Sequence, residues 1–272
     1  ALSSAASDVY KRQSNGNQNI IAGTGTVSTM SGGLQEISSG GMGTVSTLNG
    51  GSQIISSGGT GTVDIMSGGM QEIVSGAGMI STMNSGLQNI RAGGTGTVST
   101  LSGGSQSIDS GGTGTVSIMN GGVQYVQNGG TALDTVIAGG TQLVSVGAVV
   151  SGATLSAGIQ QVYDGNGLHD ITFAGGTQAV MSGAAVSGMQ VAAGQQRVEN
   201  GGTAINTEIG ADGSLQISSG GTVKDMTLTS GTLELENIDG GSFAVSGTLT
   251  ANNAVINMTD SSVTRSGTPA YE

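Results

Sequence analysis

Residues 103–120 read GGSQSIDSGGTGTVSIMN and contain one complete repeat of this chain. The repeat holds two short stretches, one around Ile108 and one around Val116, and a Gly-Gly pair precedes each of them. Glycine inside a helix costs about 1 kcal/mol relative to alanine, and these pairs interrupt every apolar stretch. Short runs of Val, Ile and Thr bounded by Gly, Ser and Asn are typical of strands. The repeat therefore predicts two β-strands and no helix.

The spacing of glutamine defines the length of the repeat. Successive glutamines lie 18 residues apart, with two spacings of 17, and Gln216 follows after a spacing of 20. The series is Gln18, Gln35, Gln53, Gln71, Gln88, Gln106, Gln124, Gln142, Gln160, Gln178 and Gln196. A unit of this size cannot bury its own apolar side chains, so the units are expected to stack on one another.

Two columns of the repeat are apolar in every unit. The first lies two residues after the glutamine: Ile20, Ile37, Ile55, Ile73, Ile90, Ile108, Val126, Val144, Val162, Val180 and Val198. The second is Met30, Leu48, Met66, Met83, Leu101, Met119, Ile137, Leu155, Phe173, Val191 and Ile209. We predict an all-β fold, a right-handed parallel β-helix (β-solenoid) of about twelve coils with an 18-residue repeat. With strands about 4.8 Å apart, the rod would be about 60 Å long.

The glutamines share the strand phase of the first apolar column, because side chains alternate with period two. They are therefore expected to face inward and to bond to one another from coil to coil. The alternative is an exposed glutamine row that binds a partner. The predicted ladder comprises Gln35, Gln53, Gln71, Gln88, Gln106, Gln124, Gln142, Gln160, Gln178 and Gln196.

The chain divides into three segments. Residues 1–13 lack the repeat, and Asp8–Gln13 resembles a translated sequencing adapter, with a native leader as the alternative. Residues 14–212 are predicted to form the regular solenoid, and residues 213–272 are predicted to form irregular coils with a frayed end. Within the solenoid, Val116 and its earlier counterparts are apolar, whereas the later residues in that column are turn formers. This change predicts a moved or sharper corner from about residue 131. The later residues are Asp134, Gly152, Asp170, Gly188 and Asn206.

Composition and charge exclude several classes of function. The net charge is −11 with six Lys and Arg residues, which disfavours nucleic acid as a partner. The chain has no cysteine, so it has neither a disulfide nor a thiolate metal site. Aromatic residues make up 2% of the chain, so any core must be thin. No apolar run approaches the roughly 20 residues of a membrane-spanning helix.

The residues that could carry catalysis or bind metal do not converge in the sequence. His169 is the one histidine, and a solvent-exposed turn residue is the simplest interpretation. Asp134 and Asp170 share a column about 10 Å apart, too far for a pair of glycosidase carboxylates, and Asp164 is the nearest further acid. Val116 occupies the position that a calcium-binding β-roll gives to Asp. We expect no enzyme and no cofactor.

A row of Thr-x-Thr pairs suggests an ice-binding surface as a further alternative. The pairs are interrupted at Met42, Ala77 and Met79 and do not continue beyond Thr115. Threonines that favour strands next to a turn are the simpler interpretation.

The units GGVQYVQNGGTA, from Gly121, and GGTQ, from Gly139, resemble the passenger repeats of AIDA-type self-associating autotransporter adhesins. The resemblance covers about residues 14–222. It implies a β-helical stalk displayed extracellularly, attached to the outer membrane of a Gram-negative bacterium through a translocator barrel that is missing from this chain. The partners it implies are identical molecules on neighbouring cells and host surface glycans or proteins.

The family's functions are autoaggregation, biofilm formation and host attachment, with roles in virulence. A passive spacer in a larger secreted β-helix protein is the alternative, ahead of a polysaccharide-active solenoid. Some members carry O-linked heptoses on repeat serines, whereas ordinary turn chemistry also accounts for serine here. The candidate serines are Ser38, Ser39, Ser56, Ser57, Ser218 and Ser219.

Overall fold

The computed structural model describes residues 16–236, 244–252 and 255–258, and the side chains of residues 16–234. These residues form 27 strands and no helix. The strands are β1 Asn17–Ile21, β2 Thr24–Met30, β3 Leu34–Ser38, β4 Met42–Leu48, β5 Ser52–Ile55, β6 Gly59–Ile73, β7 Gly76–Ile90, β8 Thr95–Leu101, β9 Ser105–Ile108, β10 Thr113–Met119, β11 Val123–Val126, β12 Thr131–Leu133, β13 Val136–Ile137, β14 Thr141–Val144, β15 Val149–Ser151, β16 Thr154–Leu155, β17 Ile159–Val162, β18 Leu168–His169, β19 Thr172–Phe173, β20 Thr177–Val180, β21 Ala185–Ser187, β22 Gln190–Val198, β23 Thr203–Ser218, β24 Thr222–Thr229, β25 Thr232–Glu236, β26 Ala244–Asn252 and β27 Val255–Met258.

The strands pair in parallel with their counterparts one coil away, which gives a β-solenoid of about twelve coils with a repeat of about 18 residues. Gln106, for example, lies in register with Gln88 on one side and Gln124 on the other. The predicted fold class is confirmed. The leader, residues 1–13, and the last residues of the predicted frayed end lie outside the described residues.

Both predicted apolar columns lie in the core. Each side chain of the two columns is at least 95% buried, from Ile20 to Ile209. Ile108 and Met119, one from each column of a single coil, are fully buried. Because every coil contributes the same two positions, the core is a continuous thin seam along the rod, with each side chain above its counterpart in the preceding coil.

The second strand of the coil changes form after Met119. In the earlier coils it is one continuous strand, such as β10, and Val116 points into the core. In the next coil it is divided into β12 and β13 around Asp134, which is exposed and adopts the left-handed conformation with φ of 48°. Asp170, between β18 and β19, and Asn206, within the continuous strand β23, adopt the same left-handed conformation with φ of 53° and 51°. The corner therefore lies at the turn-forming column that the sequence identified.

The stack continues through the region where the repeat spacing fails. β22 pairs with β23 with a register shift between Val191 and Ala193, and the in-register pairing resumes beyond it. As a result Leu215, not Gln216, lies in register with Gln196. The predicted ladder does not include Gln216, which is half-buried on the outer side of the strand, and Leu215 is fully buried in the column.

Candidate functional site

The glutamine column forms a buried ladder of amides. From Gln35 to Gln196, each Nε2 donates a hydrogen bond to Oε1 of the glutamine in the preceding coil, over 2.6 to 2.9 Å. The ten glutamines of the predicted ladder are fully buried, whereas Gln18 at its start is half-buried. A buried amide without a partner would cost about 1–3 kcal/mol, and the identical side chain one coil away supplies that partner.

In the earlier coils the second hydrogen of the amide reaches the backbone across the core. Gln106 Nε2 lies 3.4 Å from the carbonyl oxygen of Gly96 and 3.3 Å from that of Thr115. Gln53 makes the same pair of contacts to Gly43 and Thr62. These contacts join the glutamine strand to the second strand of its own coil and to that of the preceding coil.

The ladder ends at Gln196 because Leu215 follows it in the column. Gln196 Oε1 instead accepts a hydrogen bond from the hydroxyl of Thr207, over 3.2 Å. Thr207 is 1% exposed and directly follows Asn206, the left-handed residue of the corner. Sequence reasoning missed this residue. Its position in the repeat could have identified it, because the residue directly after the turn-forming residue points into the core, as Thr135 does after Asp134.

The candidate serines lie at the turns, in two different environments. Ser39 and Ser57 are exposed and adopt the left-handed conformation with φ of 51° and 47°. Ser38 and Ser56, one residue earlier, are half-buried, and Ser56 Oγ donates a weak bond of 3.5 Å to the carbonyl of Ile37. In the third pair Ser218 and Ser219 are half-buried, and Ser218 Oγ contacts Glu199 Oε2 at 3.3 Å.

The acidic residues and His169 lie on the outside of the rod. His169, Asp134 and Asp170 are exposed. Asp164 accepts hydrogen bonds from the backbone N–H groups of Gly147 and Asn166. In residues 16–234, no group of three or more His, Cys, Asp or Glu side chains is arranged to hold a metal ion. At the position where a calcium roll carries Asp, Val116 and its earlier counterparts point into the core.

An open groove of about 690 Å³ lies beside His169, between the coils that contain Leu168–Ile171 and Ser187–Gln190. Its walls include His169, Asp170 and Gln190, and Met189 contributes from the core side. Over the described strands, β18 pairs with β15 and has no pairing with β21. The groove therefore lies where the strand pairing between two coils is interrupted, and its walls hold one carboxylate, that of Asp170, beside one imidazole, that of His169.

The described residues contain no helix that is long and apolar enough to cross a membrane. No family model matches the chain, and no curated protein matches it. Among solved structures, the chain is similar to the crystal structure of a TibC-catalyzed hyper-glycosylated fragment of TibA, with 26% sequence identity and a TM-score of 0.62. The match covers 91% of this chain and 98% of the TibA fragment. The likeness thus extends over nearly the whole rod, in agreement with the repeat pattern.

Proposed function

We propose that this chain is a passenger or stalk segment of a bacterial surface adhesin, displayed on a Gram-negative cell, that mediates self-association of cells or attachment to host surfaces. The observation that carries the proposal is the stack of parallel coils, whose outward positions, many of them Ser, Thr, Asn and Gln, recur in the same columns from coil to coil. The resemblance of the repeats to AIDA-type passengers and the similarity to the TibA fragment over 91% of the chain support it. The proposed function includes no catalytic step and no cofactor.

A rod of this kind can bind without a pocket. A single contact between outward polar rows contributes little, but rows that repeat about every 4.8 Å present many contacts at once. When many copies are anchored on one surface, each new contact forms at high effective concentration, and the total affinity rises far above that of one pair. This mechanism suits homotypic contact between rods on neighbouring cells.

The test is to fuse residues 14–272 to a generic outer-membrane barrel and to follow the settling of cells in standing culture. We expect settling that depends on the fused rod and that excess soluble rod inhibits; cells that display the barrel alone are the control. Normal display at the surface without settling or adhesion to host cells would contradict the adhesive function and leave a passive stalk.

We also propose that the turn serines are sites of O-glycosylation. The similar TibA fragment is a hyper-glycosylated form produced by TibC catalysis, and two of the six candidate turn serines of this rod are exposed. Ser39 and Ser57 are the preferred sites among the six candidates, because both are exposed at the tip of a left-handed turn. Their half-buried neighbours Ser38 and Ser56 serve as matched controls.

Co-expression of the chain with TibC, followed by intact-mass measurement, tests this proposal. We expect added sugar mass that falls by one sugar unit in each of Ser39→Ala and Ser57→Ala and is retained in Ser38→Ala and Ser56→Ala. An unchanged mass after co-expression, or loss confined to the control variants, would contradict the assignment.

A further inference from the structure

The outer face of the glutamine strands carries an uncharged apolar patch at its centre. We define this face by the residues one before, one after and three after each column glutamine. From Val123 to Met181 these positions hold no charged residue. The central patch comprises Val123, Tyr125, Leu143, Ile159 and Tyr163, of which Tyr125, Ile159 and Tyr163 are exposed and the other two half-buried. Tyrosine and large apolar side chains surrounded by polar residues are typical of protein interfaces.

Two ion pairs of the described residues flank the central patch, one on each side. Arg91 pairs with Glu72, and Arg197 pairs with Glu199 over 2.8 Å. Counted from the coil of Gln142, the coil of Arg91 is the third in one direction and that of Arg197 and Glu199 is the third in the other. Arg91 and Glu199 occupy the same column, three residues after the glutamine. Each lies about 14 Å along the rod from the centre.

We propose that two copies of this chain pair antiparallel through this face, about a two-fold axis at the coil of Leu143. This inference rests on the self-association proposed above and assigns its surface. A two-fold axis that runs along the strands inverts the order of the coils and keeps each column in place. Arg91 of one copy then faces Glu199 of the second copy, whereas Arg197 faces Asn89 and Glu72 faces Gln216. Opposite charges thus meet near both ends of the interface, and Asp109, the one charged residue of this face between the coils of Arg91 and Arg197, faces Met181 of the second copy. A net charge of −11 on each rod disfavours contact through a more acidic surface.

The same operation gives complementary contacts at the centre. Leu143 faces Leu143 of the second copy. Tyr125 faces Gln161 of the second copy, because they lie one coil either side of Leu143 in the same column. Gln127 faces Tyr163 of the second copy for the same reason. Each tyrosine ring thus meets an amide side chain rather than its own copy, an arrangement that suits an amphipathic aromatic group.

The size of the face suits a weak contact that many copies strengthen. From the coil of Glu72 to that of Gln216 the face spans nine coils. At about 4.8 Å per coil and about 3.3 Å per residue along the strand, it measures roughly 40 by 17 Å, or about 700 Å² per copy. This is slightly below the roughly 800 Å² per partner of a typical stable complex. A single pair of rods would associate weakly, and arrays of rods would associate firmly.

Single-cysteine cross-linking tests the two-fold axis, because the chain has no native cysteine. Thr141→Cys places a thiol at the axis, and Ser52→Cys places one in the same column five coils away. Both positions are half-buried. With a short bismaleimide and the purified full chain, we expect a covalent dimer from Thr141→Cys and none from Ser52→Cys. Equal yields from both variants would indicate parallel or random association, and a dimer from Ser52→Cys alone would place the contact elsewhere; either result overturns the proposal.

Charge substitution tests the chemistry of the interface in the Thr141→Cys background. Leu143→Arg puts two like charges on the axis and should lower the dimer yield about tenfold or more, whereas Ile54→Arg, in the same column outside the interface, should leave it unchanged. Arg91→Glu and Glu199→Arg should each lower the yield, and the two together should restore it. Unchanged melting temperatures establish that the variants fold. Loss of yield in the double variant comparable to both single losses combined would contradict the Arg91–Glu199 contact.

The settling assay separates this inference from the proposed function. Displayed wild-type rods that settle while Leu143→Arg rods settle equally fast would leave the adhesin function standing and refute this interface. Wild-type rods that do not settle would refute the self-association itself.

Discussion

The coils before residue 131 and the coils after it fill the core with side chains of different size on the two strands. In the earlier coils Gly114 faces Ile108 across the core, and a Cβ atom on Gly114 would lie 2.5 Å from Ile108 Cδ1. In the next coil Ala132 takes the place of the glycine, and Val126 takes the place of the isoleucine. In the coils before residue 131, isoleucine on the glutamine strand thus faces glycine on the second strand. In the next coil, valine on the glutamine strand faces alanine, so both strands contribute side-chain volume to the core.

This exchange shows that the core volume is fixed by the coil rather than by either strand. Protein interiors are packed closely, so a methyl group gained on one strand must be lost from the other. The corner changes with it. In the earlier coils the side chain of Val116 is buried in the core. In the next coil Asp134 occupies the same column and is exposed, and the side chain of the following residue, Thr135, is buried instead. The outward rows can therefore differ between the halves while the buried ladder runs through both.

The largest expected effect concerns the apolar column that both halves share. Ile108→Asp would bury a charge with no partner in a core that is one side chain thick. We expect the free energy of unfolding to fall by several kcal/mol, measured by chemical denaturation. Ser107→Asp, on the outward side of the same strand, is the matched control and should change stability by less than about 0.5 kcal/mol. A nearly silent Ile108→Asp would show that the inside and outside of the strand are wrongly assigned.

A smaller effect tests the exchange of volume between the two strands. Gly114→Ala should destabilise the rod by about 1–3 kcal/mol, because the new Cβ meets Ile108 Cδ1 and Cγ1. Adding Ile108→Val removes the Cδ1 methyl group and reproduces the Val126–Ala132 pair of the second half. The double variant should therefore recover most of the loss, as thermal and chemical denaturation of both single variants and the double variant will show.

Strictly additive losses would contradict the exchange. They would mean that the early coil tolerates alanine by moving its backbone and not by making room at Ile108.

The repeat in the sequence predicts most of this fold, because each level of the stack repeats the same physical constraint. The columns of Ile108, Met119 and Gln106 follow from strand alternation and the spacing of the repeat alone. The outward turn at Asp134 was also evident, because Asp and Gly replace Val in one column. These features depend on the type of residue at a fixed position, which the sequence displays directly.

The remaining features depend on how the chain closes a coil in space. The extra residue before Asp212 shifts the register, so that Leu215 takes the column position and Gln216 faces outward. Counting from glutamine to glutamine conceals that shift, because both residues are compatible with a strand. Thr207 was missed for a related reason: its role follows from the absence of a glutamine in the next coil, which only the register reveals. The equal distances of Arg91 and Glu199 from the coil of Leu143 likewise become visible only when it is known which coils lie in register.

A third prediction concerns the corner that distinguishes the two halves. Asp134 adopts φ of 48°, which a β-branched residue adopts only with strain. Asp134→Val should therefore lower the free energy of unfolding by about 1–2 kcal/mol. Asp134→Gly should change it by less than about 0.5 kcal/mol, because Gly152 occupies the same column in the next coil with φ of 73°. If valine is tolerated as well as glycine, the corner is not the feature that separates the halves.

The smallest expected effect is the difference between two threonines that donate the same kind of hydrogen bond. The acceptor of one has a second donor in the next coil, and the acceptor of the other does not. Thr135 and Thr207 are both buried, and each donates its hydroxyl to the Oε1 of a ladder glutamine, over 3.3 and 3.2 Å. Gln124, the acceptor for Thr135, also accepts from Gln142 of the next coil. Gln196, the acceptor for Thr207, has Leu215 in the next coil and receives no amide from it.

Thr207→Val should consequently leave a buried carbonyl oxygen without a donor and cost about 1–2 kcal/mol in the free energy of unfolding. Thr135→Val removes one of two donors and should cost less than about 0.5 kcal/mol, because the ladder bond from Gln142 remains. Chemical denaturation of the two variants under identical conditions measures the difference, and valine preserves the shape of threonine in both. Equal costs would mean that the end of the ladder needs no cap. A larger cost for Thr207→Val would show that a chain of buried amides depends on how it is terminated as well as on its length.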